Sequence, residues 1–243
     1  MSKIYDPVPA TTLTYVGDRL SIGTTARVGV GSTRLLCVLC ERHGFDGTVY
    51  AAGRACRTNG WNYPESDEEC YRFVKGLYKR DHMKPFEYPA LIVKFQVPIF
   101  VARQLRTYQN TAIERSQRAC EPLEMDAAFQ PTPDDPLFEV TLDAVEKYKK
   151  LIAQGLKREE ARRAGTVDFL TQVYHKIHIR QAFHIFDQRL APEAQSETQE
   201  VVKSFYQIVK WNFPILTRVY EESKSDEWRA KFLTETTTEK MIV

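Results

Sequence analysis

The run Ala90-Leu91-Ile92-Val93-Lys94-Phe95-Gln96-Val97-Pro98-Ile99-Phe100-Val101-Ala102-Arg103-Gln104 changes its hydrophobic period at a single proline. Before Pro98, Leu91, Val93, Phe95 and Val97 fall on one side and Lys94 and Gln96 on the other, the period-two pattern of a half-buried strand. After it, Phe100, Val101 and Leu105 share a helical face, and proline suits a first helical position, so a helix is predicted over 99–108. A strand feeding straight into a short helix is the unit around which the rest of the chain is read.

Outward from that unit, Ser66 with Glu69 three residues later is a capping-box signature. Cys70, Phe73, Val74 and Leu77 then repeat at helical spacing to Lys79. Leu137, Val140, Ala144, Tyr148, Leu151 and Ile152 mark a further helix that stops at Gly155, and residues 158–163 read as one or two more turns. Val167, Phe169, Thr171 and Val173 alternate as a second strand. Ile179, Phe183, Phe186 and Leu190 mark a helix, and Ala194 to Val209 a long one opening at Pro192. Helices and strands without strict alternation place the chain in the α+β class, mixed α/β. Residues 1 to about 30 and the proline-rich run 119–136 read as irregular, within one domain spanning 1–243; a structureless loop of the second kind is usually a binding loop or lid.

The 243 residues suit one large domain, and 43% hydrophobic with 27% charged residues is ordinary globular composition. Thirty-four basic against 32 acidic side chains leave a net charge of +2, so no broad basic field for nucleic acid is expected. No apolar run reaches bilayer length, no membrane partner is expected, and the N-terminus lacks a signal peptide's apolar core. The five cysteines, an odd number, read as thiols in a reducing compartment, here the cytoplasm.

The densest chemistry lies in residues 103–118, with Arg103, Arg106, Arg115 and Arg118 among neutral hydrogen-bonding groups and one acid, Glu114. Arginine's planar fork matches phosphate or carboxylate oxygens two bonds at a time. A phosphorylated small molecule suits such a run; a solvated helix face with surface ion pairs is the plainer alternative. A second polar set comprises His175, His178, Arg180, His184 and Arg189, with Gln195 and Glu197 beyond. The six-residue step from His178 to His184 is not a zinc-ligand spacing, and Cys37-x-x-Cys40 stands alone, so no metal is expected. No glycine-rich phosphate loop or nucleophile elbow is present.

Three stretches together resemble the flavin-dependent thymidylate synthases. His82-Met83-Lys84-Pro85-Phe86-Glu87-Tyr88 is similar to that family's His-x-Ser/Thr-Pro-Phe/Leu-Glu-His. Pro98 to Gln104, with Glu114-Arg115-Ser116-Gln117-Arg118, matches Pro-Ile-Phe-Val-Ala-Arg-Gln and Glu-x-Ser-x-Arg. The third runs from Arg158-Glu159-Glu160-Ala161-Arg162 through Arg180 and Arg189 to Gln195-x-Glu197. The resemblance covers about residues 50–210, leaving 1–45 as an N-terminal extension. It implies a central sheet flanked by long helices and a homotetramer with active sites between subunits. It further implies FAD beside a uridine nucleotide, methylenetetrahydrofolate as one-carbon donor and NADPH as reductant.

By matched position, the resemblance implies that Gln104, Arg106, Glu114, Ser116, Arg118, Arg162 and Arg189 hold the nucleotide, Arg162 and Arg189 being the residues on which turnover depends. His82, Glu87, Arg106, His178, Arg180 and His184 would line the flavin side. The family's Arg-His-Arg, followed seven residues later by Ser, reads Arg106-Thr107-Tyr108 here, and two family asparagines read His178 and His184. These departures suggest a reshaped pocket in which Tyr108, Gln109 or Asn110 meets the extra hydroxyl of a ribonucleotide. The expected reaction is 5-methylation of dUMP or UMP. The alternatives are 5-hydroxymethylation of the same base and a catalytically silent nucleotide-binding relative.

Overall fold

The computed structural model describes residues 15–16, 19–20, 25–28, 31–39, 46–55, 60–108, 111–120 and 137–228. Its centre is an antiparallel sheet of β3 (Thr25–Val28), β4 (Gly31–Leu39), β5 (Ala90–Pro98), β6 (Thr111–Glu114) and β7 (Leu170–His178), ordered β3-β4-β5-β7-β6. A two-stranded pair, β1 (Tyr15–Val16) and β2 (Arg19–Leu20), lies apart from it. Residues 31–39, which the family motifs leave uncovered, are thus not an appendage: they pair with β5 from Ser32↔Gln96 to Leu39↔Ala90. From 121 on, the loop read at 119–136 lies outside the described residues, as do Gln109, Asn110, Cys40 and Cys56.

Helices α1 (Gly47–Arg54), α2 (Asp67–Lys79), α6 (Ile179–Arg189), α7 (Ser196–Asn212) and α8 (Pro214–Glu222) join the sheet around one apolar cluster. Leu91, Val93, Phe95 and Val97 of β5 are all buried there, as their alternation requires, with Phe86, Phe186, Phe205 and Tyr220 at its centre. Helix α2 begins where Ser66 Oγ accepts from the Glu69 amide at 3.2 Å. The Glu69 carboxylate does not close the box on Ser66; it accepts from the Glu65 amide at 2.8 Å and from the Tyr50 hydroxyl. Tyr50 thereby ties α1 to α2.

Three elements differ from the sequence pattern. Helix α3 (Ile99–Leu105) stops before Tyr108, and Pro98 closes β5 as the helix cap, its ψ of 151° still extended. The arginine-rich run therefore folds as a helix end, a turn and the edge strand β6. The second strand keeps its predicted inward residues, Thr171 and Val173, but continues to His178, leaving Val167 outside and 44% exposed. Helix α7 opens at Ser196, four residues after Pro192. Helix α4 (Phe138–Ala153) ends as expected at Gly155, whose φ of +89° suits a residue without Cβ. It packs on α5 (Arg158–Ala161) and a 3-10 turn at Arg162–Ala164, and leaves Leu137, Val140 and Leu142 exposed.

Extending β7 buries His175, which is 1% exposed, meets Phe95 edge-on, and among the described residues finds no hydrogen-bond partner for either ring nitrogen. Burial, assisted by the nearby positive charge of Arg106, lowers its pKa to about 4. The unfolded chain binds this proton near pH 6.5 and the native state does not, so stability is full above 6.5 and declines as pH falls toward 4. The shift corresponds to roughly 3 kcal/mol across that window. We expect His175→Phe to flatten the loss of melting temperature between pH 6.5 and 4.5; an unchanged slope in a pH series of thermal melts contradicts this.

Candidate functional site

The β5–β7 pairing builds the site. Because Ala90 lies opposite His178, the turn preceding β5, Lys84–Glu87, sits beside the start of α6. Because Pro98 lies opposite Leu170, α3 leaves from the other end. At the C-terminal end of α6, Arg189 meets the end of α3. Along α6, Ile179, Ala182, Phe183 and Phe186 enter the core, while Arg180, His184 and Asp187, at i, i+4 and i+7, line an external face.

A cavity of about 680 Å³ runs along that face. Glu87, His178, Arg180 and Gln181 line one part of it, and Thr107, Tyr108 and His184 another. Arg180 and Lys84 both pair with Glu87, at 2.7 and 2.8 Å, and hold its carboxyl below its usual range. His178 caps α6: its Nδ1 accepts from the Gln181 amide at 3.1 Å, leaving Nε2 as the proton-bearing nitrogen. Burial lowers the His178 pKa, which keeps the ring neutral and the cap intact.

A second cluster adjoins the cavity. The Arg189 guanidinium donates to the Gln104 side chain at 3.5 Å, the Gln104 carbonyl at 3.4 Å and the Thr107 hydroxyl at 3.3 Å. Gln104 in turn donates to Gln195 at 2.6 Å. The three arginine contacts are long, and the buried Nε has no partner among the described residues. The buried Tyr108 hydroxyl and Gln181 Oε1 likewise lack a well-formed hydrogen bond. The Tyr108 ring packs 5.5 Å from the Arg189 guanidinium and 5.6 Å from the His184 ring, edge-on to the latter.

Other candidates lie elsewhere. Arg106 is ion-paired with Glu114, whose other oxygen accepts from Thr171 at 3.2 Å, and it does not line the cavity. Ser116 Oγ accepts from the amides of Arg118 and Ala119 at 3.3 and 3.4 Å, shaping a turn, and Arg118 pairs with Glu159 of α5 at 2.7 Å. Arg162 is exposed just beyond α5, and His82 is exposed beside the cavity-lining Met83. Among the described residues no hydrogen bond or ion pair of Ser116, Arg118 or Arg162 reaches Gln104, Arg189 or the cavity. Most of the predicted residues thus form two groups within the chain: Gln104, Tyr108 and Arg189 with Glu87, His178, Arg180 and His184; and Ser116 and Arg118 with the nearby Arg162; Arg106 and Glu114 pair apart from both, and His82 stands beside the first.

Sequence reading passed over Thr107, Gln181 and the cavity's far end at Tyr78, Asp81, Met83, Phe183 and Asp187. Asp81 reaches the cavity just after the last turn of α2, where it adopts φ +54°, the left-handed closing position usually given to glycine. Among the described residues no group of three histidine, cysteine or acidic side chains is arranged to hold a metal ion, and no helix is long and apolar enough to cross a membrane.

Comparison with known proteins bears on this geometry. Residues 38–215 match the model of the thymidylate synthase complementing protein family. The flavin-dependent thymidylate synthase of Thermus thermophilus is 26% identical over 210 residues, covering 76% of this chain and 74% of its own. That of Kosmotoga olearia is 28% identical over 202 residues, covering 73% and 86%. Among solved structures, the UMP/dUMP methylase PolB from Streptomyces cacaoi, bound with 5-Br dUMP, superposes with a TM-score of 0.66 at 18% identity, over 78% of this chain and 94% of its own. That likeness is one of fold.

Proposed function

Because the chain belongs to the thymidylate synthase complementing protein family, we propose that it is a flavin-dependent methyltransferase. Its substrate is a uridylate, dUMP or UMP, methylated at the 5-carbon, with methylenetetrahydrofolate as one-carbon donor and NADPH as reductant. The names of its relatives support the flavin and the reaction, and the PolB methylase, which is named for UMP and dUMP, supports the uridylate.

The observation that carries the reading is the set of unmatched polar atoms along α6. Arg189 Nε, the Tyr108 hydroxyl and Gln181 Oε1 are buried without good protein partners, beside a cavity that offers His178, Arg180, His184 and Thr107 as further polar groups. An unpaired buried polar atom costs about 1–3 kcal/mol, and a ligand bearing complementary groups recovers it. The donors of this lining, Arg180, His178, Thr107 and Tyr108, fit the carbonyls and ring nitrogens of a flavin, and its acceptors, Gln181 Oε1 among them, fit a ring N–H. When bound, the flavin supplies hydride transfer, which no side chain supplies.

The chain's own residues bind and orient. Glu87 fixes the Arg180 guanidinium, and His178, neutral with its proton on Nε2, donates toward the cavity. Gln104 and Thr107 steer Arg189, whose free donors hold and polarise a uracil carbonyl. Ser116, Arg118 and Arg162 we assign to the nucleotide from a neighbouring subunit, since one subunit does not join them to Arg189. A homotetramer with shared sites is supported by the apolar surface of Leu137, Val140 and Leu142 and by Ile113, 69% exposed on the edge strand β6. We place the enzyme in the cytoplasm on its thiol content.

The direct test is product analysis. Protein supplied with FAD, NADPH, methylenetetrahydrofolate and either dUMP or UMP is expected to yield the 5-methyl nucleotide by mass spectrometry. A 5-hydroxymethyl product replaces the reaction assignment, and no base modification with either nucleotide refutes it.

A further inference from the structure

Tyr108 occupies the seam between the two ligand regions. It lines the cavity, its ring contacts Arg189 on one hand and His184 on the other, and both of these residues lie on α6. A guanidinium whose contacts to Gln104 and Thr107 are 3.3–3.5 Å, and whose approach to the Tyr108 hydroxyl is not a well-formed hydrogen bond, is free to pivot, and the Tyr108 ring lies against it. The Tyr108 side chain is half-buried, and it follows α3 after only a short turn, so its ring moves little on its own. Any ligand pressing on His184 and Tyr108 in the cavity therefore bears on the plane of the Arg189 fork.

We propose that Tyr108 is a positioning residue. Its ring sets the orientation of the Arg189 guanidinium toward the uridylate, and through His184 it couples occupancy of the cavity to nucleotide affinity. This rests on the reading of Arg189 as a uridylate ligand given above. It assigns the residue that stands in the signature triplet to a role played through its ring, rather than to a hydroxyl contact with ribose. The coupling is reciprocal, so nucleotide tightens FAD by the same factor by which FAD tightens nucleotide.

The test is a set of four dissociation constants by calorimetry for wild type, Tyr108→Phe and Tyr108→Met: UMP and dUMP, each without and with FAD. Loss of a ring–guanidinium contact is expected to weaken nucleotide binding roughly three- to thirty-fold in Tyr108→Met. In that variant the FAD-dependent tightening falls to a factor near one. Tyr108→Phe, which keeps the ring, stays within about twofold of wild type. Thermal melts check folding, and Tyr108→Leu replaces Tyr108→Met if the latter does not fold. Affinity in Tyr108→Met equal to wild type overturns the proposal, and so does a Tyr108→Phe defect as large as that of Tyr108→Met, because the hydroxyl would then be the active group. Wild-type protein that binds neither nucleotide refutes the uridylate reading itself, and the proposal with it.

Discussion

Arg189→Ala lowers turnover by roughly two to four orders of magnitude while shifting the melting temperature by no more than a few degrees. The two halves of that expectation have separate causes. In the protein alone, Arg189 makes three long hydrogen bonds and leaves its Nε unmatched, so its truncation removes little native stabilisation. Against a bound uracil the same guanidinium would make charge-assisted contacts in a partly enclosed site, and losing one partner of such a pair costs about 2–5 kcal/mol. Arg189→Lys keeps the charge but not the planar fork, and is expected to recover only a small part of the loss. Steady-state kinetics with paired thermal melts check both halves. Near-normal kcat in Arg189→Ala removes Arg189 from the site, and a large drop in melting temperature makes it structural.

Arg162→Ala produces the second large effect, with a distinctive remedy. Arg162 is exposed beyond α5, and among the described residues no ion pair or hydrogen bond connects it to the α6 cavity. If it meets the nucleotide from a neighbouring subunit, alanine there lowers activity by about one to two orders of magnitude, the size set by loss of a charged hydrogen bond to phosphate. Co-expression of Arg162→Ala and Arg189→Ala subunits under different affinity tags then restores activity, because some interfaces pair an intact Arg162 with an intact Arg189. Mixed assemblies that stay inactive while both parents remain folded contradict the shared site.

Much of this was legible in the residues, and the physical reasons differ from element to element. The strand at 90–97, the capped helix after Ser66 and the stop at Gly155 rest on local chemistry, namely side-chain alternation, a hydroxyl cap and a left-handed backbone position. The shortening of α3 was not legible, because Arg106 still caps the helix with helical backbone angles and only its side chain turns away, to an ion pair with Glu114 that β7 holds in place through Thr171. β6 escaped notice for a similar reason: Thr111–Glu114 is short, and its pairing with Tyr174 and His175 is long-range. His175 and His178 read as one polar set with His184, yet one is buried in the sheet and another caps a helix. Motif positions pointed to Glu87, Arg180 and Arg189, and the fold sets Glu87 against Arg180 at the start of α6 and Arg189 at its end. Thr107, Gln181 and Asp81 required the fold, since each reaches the cavity through the geometry of a turn or helix start rather than through its own residue type.

The central claim, that the cavity along α6 holds a flavin next to a uridylate bound by Arg189, is tested most directly by visible absorption. Purified protein is loaded with FAD and titrated separately with dUMP and UMP, with Arg189→Ala alongside. The expected result is retained flavin whose spectrum shifts saturably with at least one of the two nucleotides, and a flavin-bound Arg189→Ala protein whose spectrum does not respond. Protein that retains no FAD, or a flavin spectrum indifferent to both nucleotides, would contradict it.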